Sequence, residues 1–189
     1  KNNWLYGLSQ GKMLYLKNFL KEEPMEVVNV KDIPNGKDIR RVPVGDREER
    51  IHVYKICKQM EKICNENEGI GLSAVQVGIP WRLFIIKTDD KYEHFVNCTY
   101  EQVGDDQVTS IEGCLSLRTE SGEFRRFEMT RSLIVKVTGK KLTNFDDGLT
   151  LEDFSAYIHA EDQGVVFQHE IDHHKVILIS EAGKEILIW

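Results

Sequence analysis

Apolar and polar positions along the chain divide it into helical and extended stretches. The strongest helical period runs from Arg47 to Asn67. There Ile56, Met60 and Ile63 recur at i, i+4 and i+7, Ile51, Cys57 and Cys64 widen the stripe, and Glu48, Glu49, Lys55, Lys58, Glu61 and Lys62 supply a wet face. Glu68-Gly69 stops it. Leu83–Ile86 reads as a buried strand and Glu93–Asn97 as another; Ser132–Thr138 and Phe154–Ala160 are two more. A last helix is predicted from Gln163 to His174, with Glu161 and Asp162 favourably placed before its positive end. Beyond it, Val176–Ile179 and Ile186–Trp189 read as extended apolar runs.

Residues 25–46 predict an edge strand followed by a Pro34-Asn35-Gly36 turn and closed by Pro43 and Gly45, while 101–110 predict a polar loop and 144–148 a turn. Residues 1–24, with Leu14, Leu16, Phe19 and Leu20 before Pro24, form an N-terminal extension, either a helix or an arm. No repeat or linker interrupts 25–189, which predicts one α+β domain.

Composition narrows the class. A chain of 189 residues with 41% hydrophobic and 30% charged content buries a core unaided, and a formal charge of −6 argues against a specific nucleic-acid site. No apolar run approaches the ~20 residues of a membrane span, and the N-terminal stretch has neither a signal h-region nor the acid-poor character of a transit peptide, so a cytoplasmic protein is expected. Of the four cysteines, Cys57 and Cys64 are seven residues apart on one helix, roughly 10 Å of rise and too far for a disulfide. Cys57, Cys64 and Cys98 read as buried thiols.

The chemistry begins at Gln168-His169-Glu170-Ile171-Asp172-His173. On a helix, His169 and His173 lie one turn apart and aim their imidazoles at one point, with Glu170 beside them to serve an activated water. A third ligand is required. Ile179 stands where a metzincin has histidine, and only Glu181 and Glu185 follow, so Cys114 is the upstream candidate. The glycine-rich stretch Gly69-Ile-Gly-Leu-Ser-Ala-Val-Gln76 fits neither a Rossmann fingerprint nor a P-loop; its glycines suit close backbone approach to a ligand.

Three blocks, Gly-Ile-Gly-Leu-Ser-Ala-Val-Gln at 69–76, Glu-Gly-Cys-Leu-Ser at 112–116 and Gln-His-Glu-Ile-Asp-His at 168–173, together resemble the three motifs of peptide deformylases, in the same order and separation. The resemblance covers about residues 25–179 and implies an α+β fold of mixed or antiparallel sheets packed around a central helix that carries the His-Glu-x-x-His motif. It implies removal of the formyl group from N-formylmethionyl nascent peptides by one divalent metal, natively Fe²⁺, with Zn²⁺, Ni²⁺ or Co²⁺ in preparations. It implies Cys114, His169 and His173 as ligands and Glu170 as general base and acid. The Gln76 amide and the Leu115 N–H would be oxyanion donors. Gly71 would meet the substrate's formyl amide, and Gly69, Ile70, Gly113, Val165 and Val166 would line the methionine pocket. Glu112 would brace the Cys114 loop through an arginine, Arg131 by spacing, with Arg125 and Arg126 open because the chain carries extra residues after Leu117.

Departures from the family pattern are Ser73 for alanine, His174 for leucine after the second histidine, and Val176 for a usual glycine. Family members commonly carry a C-terminal helix that docks on the ribosome; the short stretch after His173 weakens that expectation and fits either a minimal, phage-type member or a chain that has lost its tail, and a monomer is expected. Two rival readings are a zinc peptidase of the His-Glu-x-x-His class, which wants a Glu or His third ligand, and a closed structural metal site, which leaves Gln76 and Glu170 with nothing to do.

Overall fold

The computed structural model describes residues 25–29, 33, 38–89, 91–145 and 148–186. The extension at 1–24, the Pro34-Asn35-Gly36 turn and residues 187–189 lie outside the described residues. Helix α1 spans Arg47–Glu66; Asp46 caps it by accepting a hydrogen bond from the Glu49 N–H, and Val53, Ile56, Cys57, Met60, Ile63 and Cys64 form its buried face. Strand β1 (Gly71–Ser73) runs into a single 3₁₀ turn at Ala74–Val77, and β2 (Leu83–Thr88) and β3 (Lys91–Gln102) follow. Strands β4 (Gln107–Arg118) and β5 (Phe124–Ser132) form a hairpin, then β6 (Ile134–Phe145) and β7 (Gly148–His159) form another. Helix α2 (Gly164–His173), the short helix α3 (Ile179–Ala182) and β8 (Lys184–Ile186) complete the order.

Among the described residues the strands make two antiparallel sheets, one of five in the order β1-β2-β3-β6-β7 and one of three in the order β4-β5-β8. Helix α2 lies between them, which is why it is buried almost all round and lacks a wet stripe. One side of it sends Phe167 and Ile171 into a cluster with Phe84, Ile86, Phe95, Val135 and Val137 from the larger sheet. Phe167 meets Phe95 edge-on at 4.8 Å between ring centroids, and Phe84 stacks on Phe95 at 5.2 Å. Such pairs contribute about 0.5–1.5 kcal/mol each beyond area burial, enough to fix how the helix is rotated. The other side then necessarily faces the smaller sheet. Helix α1 packs with β1 and β2 in a separate cluster that includes Leu72, Leu83, Ile85 and Leu115.

Several elements differ from the sequence expectation. Residues 25–29 adopt no strand; the described residues of 25–46 are tied down at separate points, by the Val28 N–H on the Gln76 carbonyl, by a parallel bridge between Arg40 and Trp81, and by Val42, whose N–H donates to Asn97 Oδ1 and whose carbonyl accepts from Asn97 Nδ2. Pro43 removes a ladder donor there. The expected polar loop 101–110 is mostly strand, because β3 continues to Gln102 and β4 begins at Gln107. Strand β5 has no counterpart in the sequence expectation: its inward positions are Phe127, Met129 and Arg131, and a buried arginine hides the alternation. Strands β6 and β7 run to 12 residues each, their outer halves carried by polar cross-strand pairs such as Lys140–Asp153 and Thr143–Thr150.

Val176–Ile179 is not an extended run. Helix α2 ends in a turn that places Val176 at φ +58, with its N–H on the His173 carbonyl and the Ile177 N–H on that of Asp172. Valine thus keeps the left-handed conformation that a glycine would take at this point, at a cost of order 1–3 kcal/mol. The reversal lets α3 and β8 fold back so that β8 pairs with β5.

Candidate active site

Helix α2 presents His169 and His173 one turn apart, and their rings meet edge-on with centroids 4.9 Å apart. Strand β4 brings Cys114 to the same point, its register with β5 shifting between Gly113 and Arg118. The donor atoms of Cys114, His169 and His173 all lie within 4.8 Å of one another, and Cys114 Sγ is 3.5 Å from His173 Nε2. A tetrahedral ion held by sulfur and imidazole separates those two donors by about 3.6 Å. All three side chains are buried. One thiol and two imidazoles are therefore spaced for a divalent ion, and they suit a soft-to-borderline transition metal rather than calcium or magnesium.

The protein also sets the charge of this cluster. Burial pushes the His169 imidazole down, but its contacts with Cys114 and Glu112 prevail and hold its pKa well above the ordinary value. Burial and then the neighbouring His169 charge push His173 well below it.

His169 is aimed from behind. Its Nδ1 lies 2.8 Å from Glu112 Oε2, which leaves Nε2 for the cluster. Arg131 on β5 grips Glu112 with two parallel bonds of 2.7 Å, Nε to Oε1 and Nη2 to Oε2, and donates from Nη1 to Asp172 Oδ2 at 2.6 Å. Arg131 is thus the partner of Glu112, while Arg125 pairs with Glu185 and Arg126 lines the cleft. Ser110 Oγ adds a further donor to Glu112 Oε1 at 2.7 Å.

Burial would raise the Glu112 pKa, but the bonds from Arg131 and then His169 lower it to about 2 from 4.5. A carboxyl depressed on folding contributes stability that is complete above the unfolded value and disappears as pH falls through the folded one. The window is pH 4.5 down to about 2, and the shift corresponds to about 3 kcal/mol. Urea midpoints measured across that window are expected to fall, and Glu112→Gln is expected to flatten the slope. An equal slope in both proteins would place the acid sensitivity elsewhere.

In front of the cluster is a cleft of about 340 Å³ lined by Gly69, Ile70, Gly71, Gln76, Gly113, Leu115, Val165, Val166 and Glu170 together with Cys114 and His169. Glu170 is buried, and among the described residues its Oε2 has no hydrogen-bond partner. Burial raises its pKa, His169 opposes and Glu112 assists, leaving it at about 7. Gly71 is required beside it: a Cβ there would meet Glu170 Oε1 at 2.5 Å and Val166 Cγ1 at 3.1 Å. Gln76 sits on the 3₁₀ turn after β1, its Oε1 fixed by the Ser73 N–H at 2.8 Å so that Nε2 points to Cys114 Sγ at 3.2 Å.

The cleft also contains Glu68, Ile111, Phe124 and Arg126, which the sequence did not single out as pocket residues. Phe124 and Arg126 belong to the unforeseen β5; Ile111 directly precedes Glu112 on β4 and is exposed. The other four histidines lie elsewhere, His52 meeting Trp81 edge-on with ring centroids 6.2 Å apart. His174 Nε2 faces the Leu83 carbonyl, His94 pairs with Glu61, and His159 accepts from the Glu161 N–H.

Comparison with known proteins gives this geometry a family. The polypeptide deformylase profile matches residues 37–186. The chain belongs to the polypeptide deformylase family. Deformylases are enzymes that hydrolyse an N-formyl amide on a polypeptide. A peptide deformylase of Aquifex aeolicus is 31% identical over 154 residues, covering 78% of this chain and 80% of that protein. Among solved structures, an Arabidopsis thaliana peptide deformylase bound to an inhibitor is 26% identical with a TM-score of 0.62, covering 84% of this chain and 81% of that one. A probable peptide deformylase from Synechococcus phage S-SSM7 shares the fold at 23% identity and TM-score 0.60, covering 84% of this chain and 99% of that one.

Proposed function

We propose that this deformylase removes the formyl group from N-formylmethionyl nascent peptides in the cytoplasm, releasing formate, with one divalent ion held by Cys114, His169 and His173. The observation that carries the reading is the convergence of a buried Cys-His-His set with a buried carboxylate and an oriented amide on one cleft. The ion supplies Lewis acidity that makes a neutral-pH nucleophile out of water. Glu170 accepts the proton of the attacking water on a carboxylate oxygen and returns it to the nitrogen of the departing amine. As the formyl carbon becomes tetrahedral, its oxygen gains charge, and the Gln76 Nε2 amide and the Leu115 N–H donate to it. A donor of this kind is worth about 3–4 kcal/mol. Ile70, Val165, Val166 and Phe124 enclose the methionine side chain, and Gly69, Gly71 and Gly113 let the substrate backbone come close to the protein's own.

Protein loaded anaerobically with Fe²⁺, Ni²⁺ or Co²⁺ is expected to release formate from a formyl-Met-Ala-Ser peptide, and Cys114→Ala is expected to lose the ion. No formate with any of the three metals defeats the activity; a stoichiometric ion in Cys114→Ala defeats the ligand set. Zinc in a preparation does not identify the working metal, because such donors hold Zn²⁺ more tightly than Fe²⁺.

A further inference from the structure

Arg131, Asp172 and Tyr100 line a second and more polar groove of about 620 Å³, whose lining includes none of Cys114, His169 and His173. Asp172 is buried and precedes His173 on α2. Its Oδ2 receives Arg131 Nη1, and its Oδ1 receives the Tyr100 hydroxyl at 2.8 Å. Tyr100 comes from β3, beyond the irregularity at Val96–Thr99, and so ties the larger sheet to this network. Lys175 lies 4.2 Å over the Tyr100 ring and 3.9 Å from Asp172 Oδ1, holding the ring from the solvent side. Burial, and then the negative charge of Asp172, keeps the phenol protonated and therefore a donor.

These contacts form one line: Tyr100 to Asp172, Asp172 to Arg131, Arg131 to Glu112, Glu112 to His169 Nδ1. We propose that the Tyr100 hydroxyl is a positioning group for the ion site, acting through Asp172 and Arg131 to hold the His169 ring in its ligating orientation. The inference rests on the Cys114, His169 and His173 ligand set proposed above. The physical reason is satisfaction. A buried carboxylate needs donors on both oxygens, and without the hydroxyl, Oδ1 turns to the groove or to Arg131. Either motion loosens the grip of Arg131 on Glu112, and with it the aim of His169. Groups directly behind a ligating histidine usually matter by about 10–100-fold in affinity; Tyr100 is three hydrogen bonds further back, so an effect of about three- to tenfold is expected.

The test is Tyr100→Phe, which keeps the ring and removes only the donor. Apo protein titrated with Co²⁺ is expected to bind about three- to tenfold more weakly, with its visible ligand-field bands shifted, while kcat falls and KM for the formyl peptide holds. Lys175→Ala, which removes an exposed charge and leaves the hydroxyl, is expected to stay within twofold of the parent in Co²⁺ affinity. Unchanged Co²⁺ affinity and bands in Tyr100→Phe overturn the proposal, even if its thermal stability drops. An equal loss in Lys175→Ala also overturns it, since charge at Asp172 and not the hydroxyl bond would be responsible. If neither parent nor variant releases formate but Co²⁺ binding weakens in Tyr100→Phe, the positioning role stands and the deformylation reading falls.

Discussion

Replacing Glu170 by glutamine is expected to leave one divalent ion bound per chain and to cut formate release by about 10²–10⁴-fold, the range a positioned acid–base group supplies. A thousandfold loss corresponds to about 4 kcal/mol of the barrier. The two effects separate because Glu170 is absent from the donor cluster of Cys114, His169 and His173 yet lines the same cleft. Glutamine keeps the shape that fits against Gly71, so it introduces no new clash there, and it removes the only property at issue, the ability to take a proton. Burial also explains why this carboxyl suits proton transfer. Lifted to about 7, it is a far better proton acceptor than an ordinary glutamate near pH 4.5. Metal content by elemental analysis and formate by a coupled assay read the two outcomes independently. Loss of the ion in Glu170→Gln would make Glu170 a ligand, and retained turnover would remove it from the chemistry.

The helical histidine pair of the site was legible in the sequence for a physical reason. A metal-ligating pair on a helix is a local pattern, since one turn fixes the geometry of His169 and His173 without knowledge of the rest of the chain. The α1 stripe and the apolar run of β2 are local in the same sense. Cys114, Gln76 and Glu170 meet only through long-range pairing, and their association was readable because the three blocks resemble a known family, not because any period announced it. What stayed hidden depends on tertiary compensation. Strand β5 carries Arg131 at an inward position, which is tolerable only because Glu112 and Asp172 wait for it on other elements. Tyr100 reads as one more strand aromatic, and its partner is 72 residues away. Val176 at positive φ is not announced by the residue itself, because valine is a poor choice for that conformation; only the family's usual glycine at that point hints at it.

Arg131→Ala is expected to produce the largest stability loss of any single change in the site. The guanidinium is only 5% exposed and serves two carboxylates that are equally buried, so its removal strands both Glu112 and Asp172. Breaking a buried ion network from one side costs about 3–5 kcal/mol, because the remaining charges keep their desolvation penalty without their partner. That is a large share of the ~5–15 kcal/mol by which a domain of this kind is stable. Urea unfolding is expected to show a lower midpoint with an unchanged slope, and the loss should shrink as pH drops and the stranded carboxylates take up protons. The sign follows from Glu112: with Arg131 gone, its hydrogen bond and charge no longer lower the carboxyl, so the pKa rises from about 2 and protonation relieves the variant at a pH where the parent is not yet affected. The same network need not be a net source of stability, since matched apolar side chains often replace such clusters at little cost. Its retention here is explained by His169, which an apolar core could bury but could not aim. A loss below about 1 kcal/mol in Arg131→Ala, the level of an exposed ion pair, would mean that the network is solvated and too loose to orient the ring.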